Sequence, residues 1–203
     1  MNLNEQLGVF DGTQAVQFER LLPGPIERVW AYLTESDKRS QWLASGAMPV
    51  QPGGDFVMRF DHSLLSETPE LPPEPYRQYA GGHDSLHRLL RFEPPQVLAF
   101  TWGSIQDNLS EVTFELSEQG EQVKLVLTHR NLSGRKEQRD VGPGWHSHLD
   151  VLRERLNGTA PASFWKLFEQ IQARYTRSDQ THRLPSPALA SGARAACPRR
   201  RVR

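Results

Sequence analysis

A single cysteine, Cys197, stands in 203 residues, so neither a disulfide framework nor a thiolate metal site can be assembled within the chain. No apolar run approaches the roughly 20 residues that span a bilayer, and no membrane span is expected. The opening MNLNEQLGVFDGTQ lacks the basic and apolar regions of a secretory signal, which makes the cytoplasm the expected location. There is no G-x-S-x-G elbow, no G-x-x-x-x-G-K-S/T loop and no G-x-G-x-x-G after a strand. Those absences argue against a serine hydrolase of that class, against nucleotide hydrolysis and against a dinucleotide cofactor. No cofactor is expected.

What is present is a 37% hydrophobic chain with a formal net charge of +0, enough apolar material for one sizeable core. The neutrality hides an asymmetry. Seven arginines and one acid follow Thr176, leaving a mildly acidic body. The stretch LPSPALASGARAACPRRRVR has small residues, prolines and arginines without periodicity, too little apolar surface to offset its ordering entropy. We read 177–203 as a disordered basic tail. Such tails can meet nucleic acid, but a plain solvated extension is the preferred reading and nucleic acid is not expected as a partner.

Along the body, QAVQFERLL (14–22) alternates as a strand and ends at PGP, and Pro25 suits the first turn of a helix. Ile26, Val29, Trp30 and Leu33 then follow at helical spacing. Ser36 can cap a second short helix through Trp42. DFVMRF (55–60) sets Phe56, Met58 and Phe60 on one face. Residues 63–79, with four prolines and three acids, read as a surface loop. SLHRLLRF (85–92), VLAFTW (97–102), EVTFEL (111–116) and VKLVLTHR (123–130) are strands, the last two a hairpin. GWHSHLDVLRERLNG (144–158) is a helix whose apolar stripe is Trp145, Leu149, Leu152 and Leu156, closed by Gly158. An added short helix covers Ala160 to Tyr175. Each strand shows one apolar face, and an antiparallel sheet must cover such a face.

The pieces FERLLPGPIERVWAYLTESDKRSQWLA, PGGDFVMRF, RFEPPQVLAFTW, VKLVLTHRNL and GWHSHLDVLRERLNG resemble, in order and spacing, the activator of heat shock protein 90 ATPase homologue (AHSA-like) family. That family lies in the START-like (SRPBCC) superfamily, with the birch-pollen allergen and the polyketide cyclases. The resemblance covers 14–158. It implies an α+β helix-grip fold: a curved antiparallel sheet wrapped around a long C-terminal helix, two short helices after the first strand, and an apolar cavity between sheet and helix. The chain departs from the pattern in its long proline-rich loop at 63–79 and in the residues after the last helix. The expected organisation is a segment at 1–13, the START-like domain at 14–158, an added helix at 159–176 and the tail.

Clustered histidines need separate weighing. Residues two apart on a helix point about 200° apart, so His146 and His148 cannot share an ion; His146 and Asp150 are expected to be solvated, with His148 near the sheet. His83 and His87, four apart on a strand, lie roughly 13 Å from each other and cannot share one either. No metal is expected, and no catalytic residue is assigned. The expected ligand-binding surface is Trp30, Trp42, Phe56, Met58, Phe60, Phe100, Trp102, His129, Trp145 and Leu149. Aromatic walls suit flat apolar ligands; the plainer alternative is that these rings simply fill the core. His129, inward with Val123, Leu125 and Leu127, could donate to a ligand or move a proton near neutral pH; its plainer alternative is a core histidine satisfied by its neighbours.

Three functions follow. The preferred one is binding of a small hydrophobic molecule without evident catalytic machinery. The second is stimulation of a chaperone ATPase through protein contact, as the family name implies for its eukaryotic members. The third is a cyclase or hydrolase using the same cavity, with His129 as a candidate for proton transfer. The added helix can cover a neighbouring subunit in a homodimer as readily as its own domain.

Overall fold

The computed structural model describes residues 2–12, 14–68, 70–74, 76–103 and 109–182. The elements are β1 (Val9–Asp11), β2 (Ala15–Pro23), α1 (Ile26–Thr34), α2 (Ser36–Arg39), β3 (Asp55–Phe60), β4 (His83–Glu93), β5 (Val97–Trp102), β6 (Ser110–Gln119), β7 (Gln122–Arg130), α3 (Arg135–Leu156) and α4 (Phe164–His182). The seven strands form one antiparallel sheet in the order β1-β2-β7-β6-β5-β4-β3. β2 and β3 are consecutive strands of the chain, yet β3 is one edge of the sheet and β2 lies next to the other, and α1 and α2 carry the chain between them. From β3 the strands meander back until β7 closes on β2. This is the helix-grip arrangement, with α3 as the gripped helix.

The inner face follows the alternation. Val16, Phe18 and Leu22 from β2, Val123, Leu125 and Leu127 from β7, Val112, Phe114 and Leu116 from β6, and Phe56, Met58 and Phe60 from β3 are all buried. Trp145, Leu149, Leu152 and Leu156 from α3 meet them. Full burial of side chains of this size stabilises by about 1.5–3 kcal/mol each. In β4 a bulge separates Leu89, opposite Phe100, from Arg91, opposite Ala99. Strict alternation from His87 would turn Phe92 outward. The extra residue reverses the parity, and Phe92 comes in beside Leu98 to meet Trp30 edge-on at 5.3 Å.

Four local expectations are corrected. Ser36 is the first residue of α2 and not its cap; its hydroxyl accepts the Gly46 amide at 2.8 Å, and α2 ends at Arg39, well before Trp42. β1, within the segment 1–13, pairs with β2 and so belongs to the sheet. α3 begins nine residues before Gly144 and passes through Pro143; Glu137 accepts the Ser133 amide at 2.6 Å and hydroxyl at 2.8 Å across its start, an acid where the helix dipole favours one. α4 runs to His182 rather than Tyr175 and lays Phe164, Trp165, Phe168 and Ile171 onto its own domain. The part of the expected tail at 183–203 lies outside the described residues.

The loop at 63–79 is tied down. The Glu70 carboxylate accepts the Trp165 amide at 3.0 Å, the Ser163 hydroxyl at 2.7 Å and the Ser66 hydroxyl at 3.0 Å, and the Ser66 hydroxyl accepts the Phe164 amide at 2.8 Å. A distant loop therefore caps α4, supplying acceptors to amides that the helix leaves unpaired. Partial burial pushes the Glu70 carboxyl up, but the hydrogen bonds from Trp165, Ser163 and Ser66 outweigh it and the net shift is downward.

Candidate functional site

A line of rings runs across the inner face. Tyr79, at 41% exposure, meets His83 at 4.9 Å; His83 stacks on Phe60 at 5.1 Å; Phe60 meets Trp102 at 5.6 Å; Trp102 meets Trp145 of α3 at 4.7 Å. From Trp145 the contacts pass to Phe114 at 5.9 Å and on to Trp42 at 6.3 Å. Phe56 and Phe100 join edge-on at 5.8 Å. Of the ten residues named from the sequence, Phe56, Phe60, Phe100, Trp102, His129 and Trp145 come together, and Trp42 joins through Phe114. Trp42 also donates its indole N–H to the Tyr32 carbonyl at 2.7 Å. Met58 and Leu149 are fully buried in the same core. Trp30 stands apart, against Phe92.

His129 is wholly occupied. The Trp145 indole N–H donates to its Nδ1 at 3.0 Å, so Nε2 carries the proton and donates to Ser110 Oγ at 2.8 Å; the Ser110 hydroxyl in turn donates to the Trp102 carbonyl at 3.1 Å. Burial pushes this imidazole down to about 3. A neutral ring with both nitrogens engaged has nothing to offer a ligand and no proton to exchange near pH 7, which removes the candidate on which the enzyme reading leaned.

His87, weighed from the sequence only as a metal ligand, is absent from the expected ligand surface, although alternation along SLHRLLRF sets it inward with Leu89. It is 2% exposed. Its Nδ1 lies 2.7 Å from the Thr101 carbonyl, while the Thr101 hydroxyl accepts the Arg88 amide at 2.8 Å. A carbonyl can only accept, so Nδ1 carries the proton and Nε2 is a bare acceptor. Nε2 is buried without a hydrogen-bond partner among the described residues. Desolvation, opposed by the bond to Thr101 and assisted by the Arg39 charge, holds the ring below its usual value. Arg39 itself, 1% exposed, donates to the carbonyls of Thr34, Ala44 and Gly46.

A second polar group sits beneath α4. The expected solvation of His146 and Asp150 is corrected: the His146 side chain is fully buried and Asp150 is 13% exposed, because Tyr175 of α4 closes over them. The Gly8 amide donates to the Tyr175 hydroxyl at 2.8 Å, and that hydroxyl lies 3.3 Å from His146 Nδ1. Gly142 permits this closeness, since a Cβ there would lie 3.0 Å from the Phe10 ring and 3.1 Å from the Tyr175 ring. Arg20, also fully buried, lies over Phe18 at 5.7 Å and donates to the Glu19 carbonyl. His148 donates from Nδ1 to the Trp42 carbonyl at 2.7 Å. Burial pushes His146 down to about 3 and His148 to about 4. A cavity of about 1170 Å³ opens between β1, the first turns of α3 and the later turns of α4, with Phe10, Gln138, Pro143 and Tyr175 in its wall; none of the ten expected residues lines it.

Comparison with known proteins bears on the whole. A family model described as Activator of Hsp90 ATPase homolog 1-like protein matches residues 23–157. A Bordetella parapertussis protein solved by solution NMR is 48% identical over 87% of this chain and 92% of its own, with a TM-score of 0.73. CalU16 of Micromonospora echinospora is 21% identical over 80% of this chain and 86% of its own, at a TM-score of 0.58. A conserved Enterococcus faecalis protein of unknown function is 19% identical over 85% and 90%, at 0.56. The latter two show a shared fold alone. No curated protein matches the chain.

Proposed function

Because the chain belongs to the Activator of Hsp90 ATPase homolog 1-like family and folds as a sheet gripping a helix, we propose that it binds a small hydrophobic molecule between sheet and α3. The observation that carries this reading is the unbroken line of rings from the exposed Tyr79 through His83, Phe60 and Trp102 to Trp145. Trp102, on the rim, is only half buried. The pairs in this line are stacked, tilted or edge-on, and aromatic pairs contribute about 0.5–1.5 kcal/mol each beyond their area. Parting two of them therefore costs about 1–3 kcal/mol, and a flat apolar ligand restores the loss by making equivalent contacts on its two faces. The ligand is held, not turned over, since His129 is engaged on both sides.

Native mass spectrometry of the purified protein, under gentle and denaturing conditions, tests the reading. A retained small molecule supports it. A bare mass, together with no heat of binding when flat aromatic probes are titrated in, overturns it.

The family's own description favours a second reading, stimulation of a chaperone ATPase. Under that reading, saturating protein raises the turnover of Hsp90 from the same source; an unchanged rate excludes it.

A further inference from the structure

The reading above rests on rings, and rings alone would accept any flat apolar compound. His87 adds a restriction. Its Nδ1–H is held by the Thr101 carbonyl at 2.7 Å, which leaves Nε2 as a lone pair with no hydrogen. The strand fixes where the imidazole sits: His87 is opposite Phe56 across the β3–β4 pair, and its ring centre is 5.6 Å from Phe56, 6.3 Å from Phe60, 5.8 Å from Phe100 and 5.6 Å from Trp102. These four rings belong to the surface assigned to the ligand. Nε2 is buried among them with no protein donor among the described residues. A buried acceptor left unpaired is unfavourable by about 1–3 kcal/mol, and buried polar atoms in native proteins are as a rule paired.

Resting on the ligand-binding reading, we propose that the ligand carries a hydrogen-bond donor on a flat apolar frame, as a phenol or an aromatic N–H compound does, and that His87 Nε2 accepts it. A carboxylate fits poorly, because an acceptor-only anion would face a lone pair across a desolvated gap. A phenol supplies both demands at once: ring faces for Phe60 and Trp102, and a short strong O–H donor for Nε2. Specificity of this kind arises because a site built to pair a polar group rejects the analogue that leaves it unpaired.

The test uses 2-naphthol and its methyl ether, 2-methoxynaphthalene, probes of like shape that differ in the donor. Both are titrated calorimetrically into the full chain and into His87→Leu. The expected result is that naphthol binds the wild-type protein about tenfold tighter than the ether, and that His87→Leu removes the preference by weakening naphthol alone. Where the variant does not fold, the wild-type protein still decides: the ¹⁵N resonance of His87 Nε2 moves on adding naphthol and stays in place with the ether. Equal affinity of the two probes, or a preference that survives in His87→Leu, overturns the role of His87 while leaving the hydrophobic site standing; a water seated on Nε2 would give this result. Binding of neither probe overturns the donor contact to His87, and only together with a bare mass in native mass spectrometry does it overturn the ligand-binding reading as well.

Discussion

Replacing His129 with leucine tests the buried chain that joins helix to sheet. The substitution keeps the volume about constant and removes two hydrogen bonds, Trp145 Nε1–H to Nδ1 at 3.0 Å and Nε2–H to Ser110 at 2.8 Å. Trp145 is 3% exposed, so its indole N–H is left unpaired away from water, a loss of about 1–3 kcal/mol. The lost bond to Ser110 adds about 1 kcal/mol, and the more apolar leucine returns a similar amount. The expected net destabilisation is about 1–3 kcal/mol, read from urea midpoints at constant m, or a fall in Tm of about 2–12 °C for a chain of this size. Trp145→Phe removes the donor instead and leaves Nδ1 bare. In the double variant neither group is stranded, so its loss should fall short of the summed single losses by at least 1 kcal/mol. A change below about 0.5 kcal/mol in His129→Leu, or additivity across the cycle, would refute the assignment of this network.

Acid should destabilise the fold early. His62, His129, His146 and His148 are pushed by burial to about 3, about 3, about 3 and about 4 from 6.5, and His83 and His87 are lowered as well, so below pH 6.5 the unfolded chain binds more protons than the folded one, up to four of them from the first four histidines. Stability is then full above 6.5 and falls as the pH drops towards 4, with a limiting slope of about 1.4 kcal/mol per pH unit for each histidine. Urea midpoints between pH 7.5 and 4.5 check this, and His129→Leu should flatten the slope by about one proton. Glu70→Ala withdraws the acceptor from Trp165, Ser163 and Ser66, and should lower stability by about 1 kcal/mol while raising hydrogen exchange at the first amides of α4; exchange unchanged there would refute the cap. Gly142→Ala gains about 1 kcal/mol of helix propensity, yet its methyl meets the rings of Phe10 and Tyr175 at 3.0 and 3.1 Å. A net loss of about 1 kcal/mol, accompanied by faster exchange in β1, is expected, and a more stable variant would show that those rings give way freely.

Periodicity along the chain determined which face of each strand and helix is apolar. From that alone came the inward placement of Phe56, Met58 and Phe60, the stripe of Trp145, Leu149, Leu152 and Leu156 on α3, and the sheet that must cover them, because side-chain direction follows from local backbone geometry every two or 3.6 residues. Local signals failed where a contact with a distant segment decided the outcome. The bulge that turns Phe92 inward depends on how β4 pairs with β5. α3 extends through Gly142, Pro143 and Gly144, residues that discourage a helix, with β1 and α4 packed beside it. His146 is buried because α4 folds back over α3 and brings Tyr175 from 29 residues away. The same holds for the two inward histidines. Alternation sets His87 and His129 on one surface without distinction, and only the tertiary structure gives His129 a partner at each nitrogen while leaving one nitrogen of His87 bare, since a hydrogen bond depends on which groups the fold brings within about 3 Å.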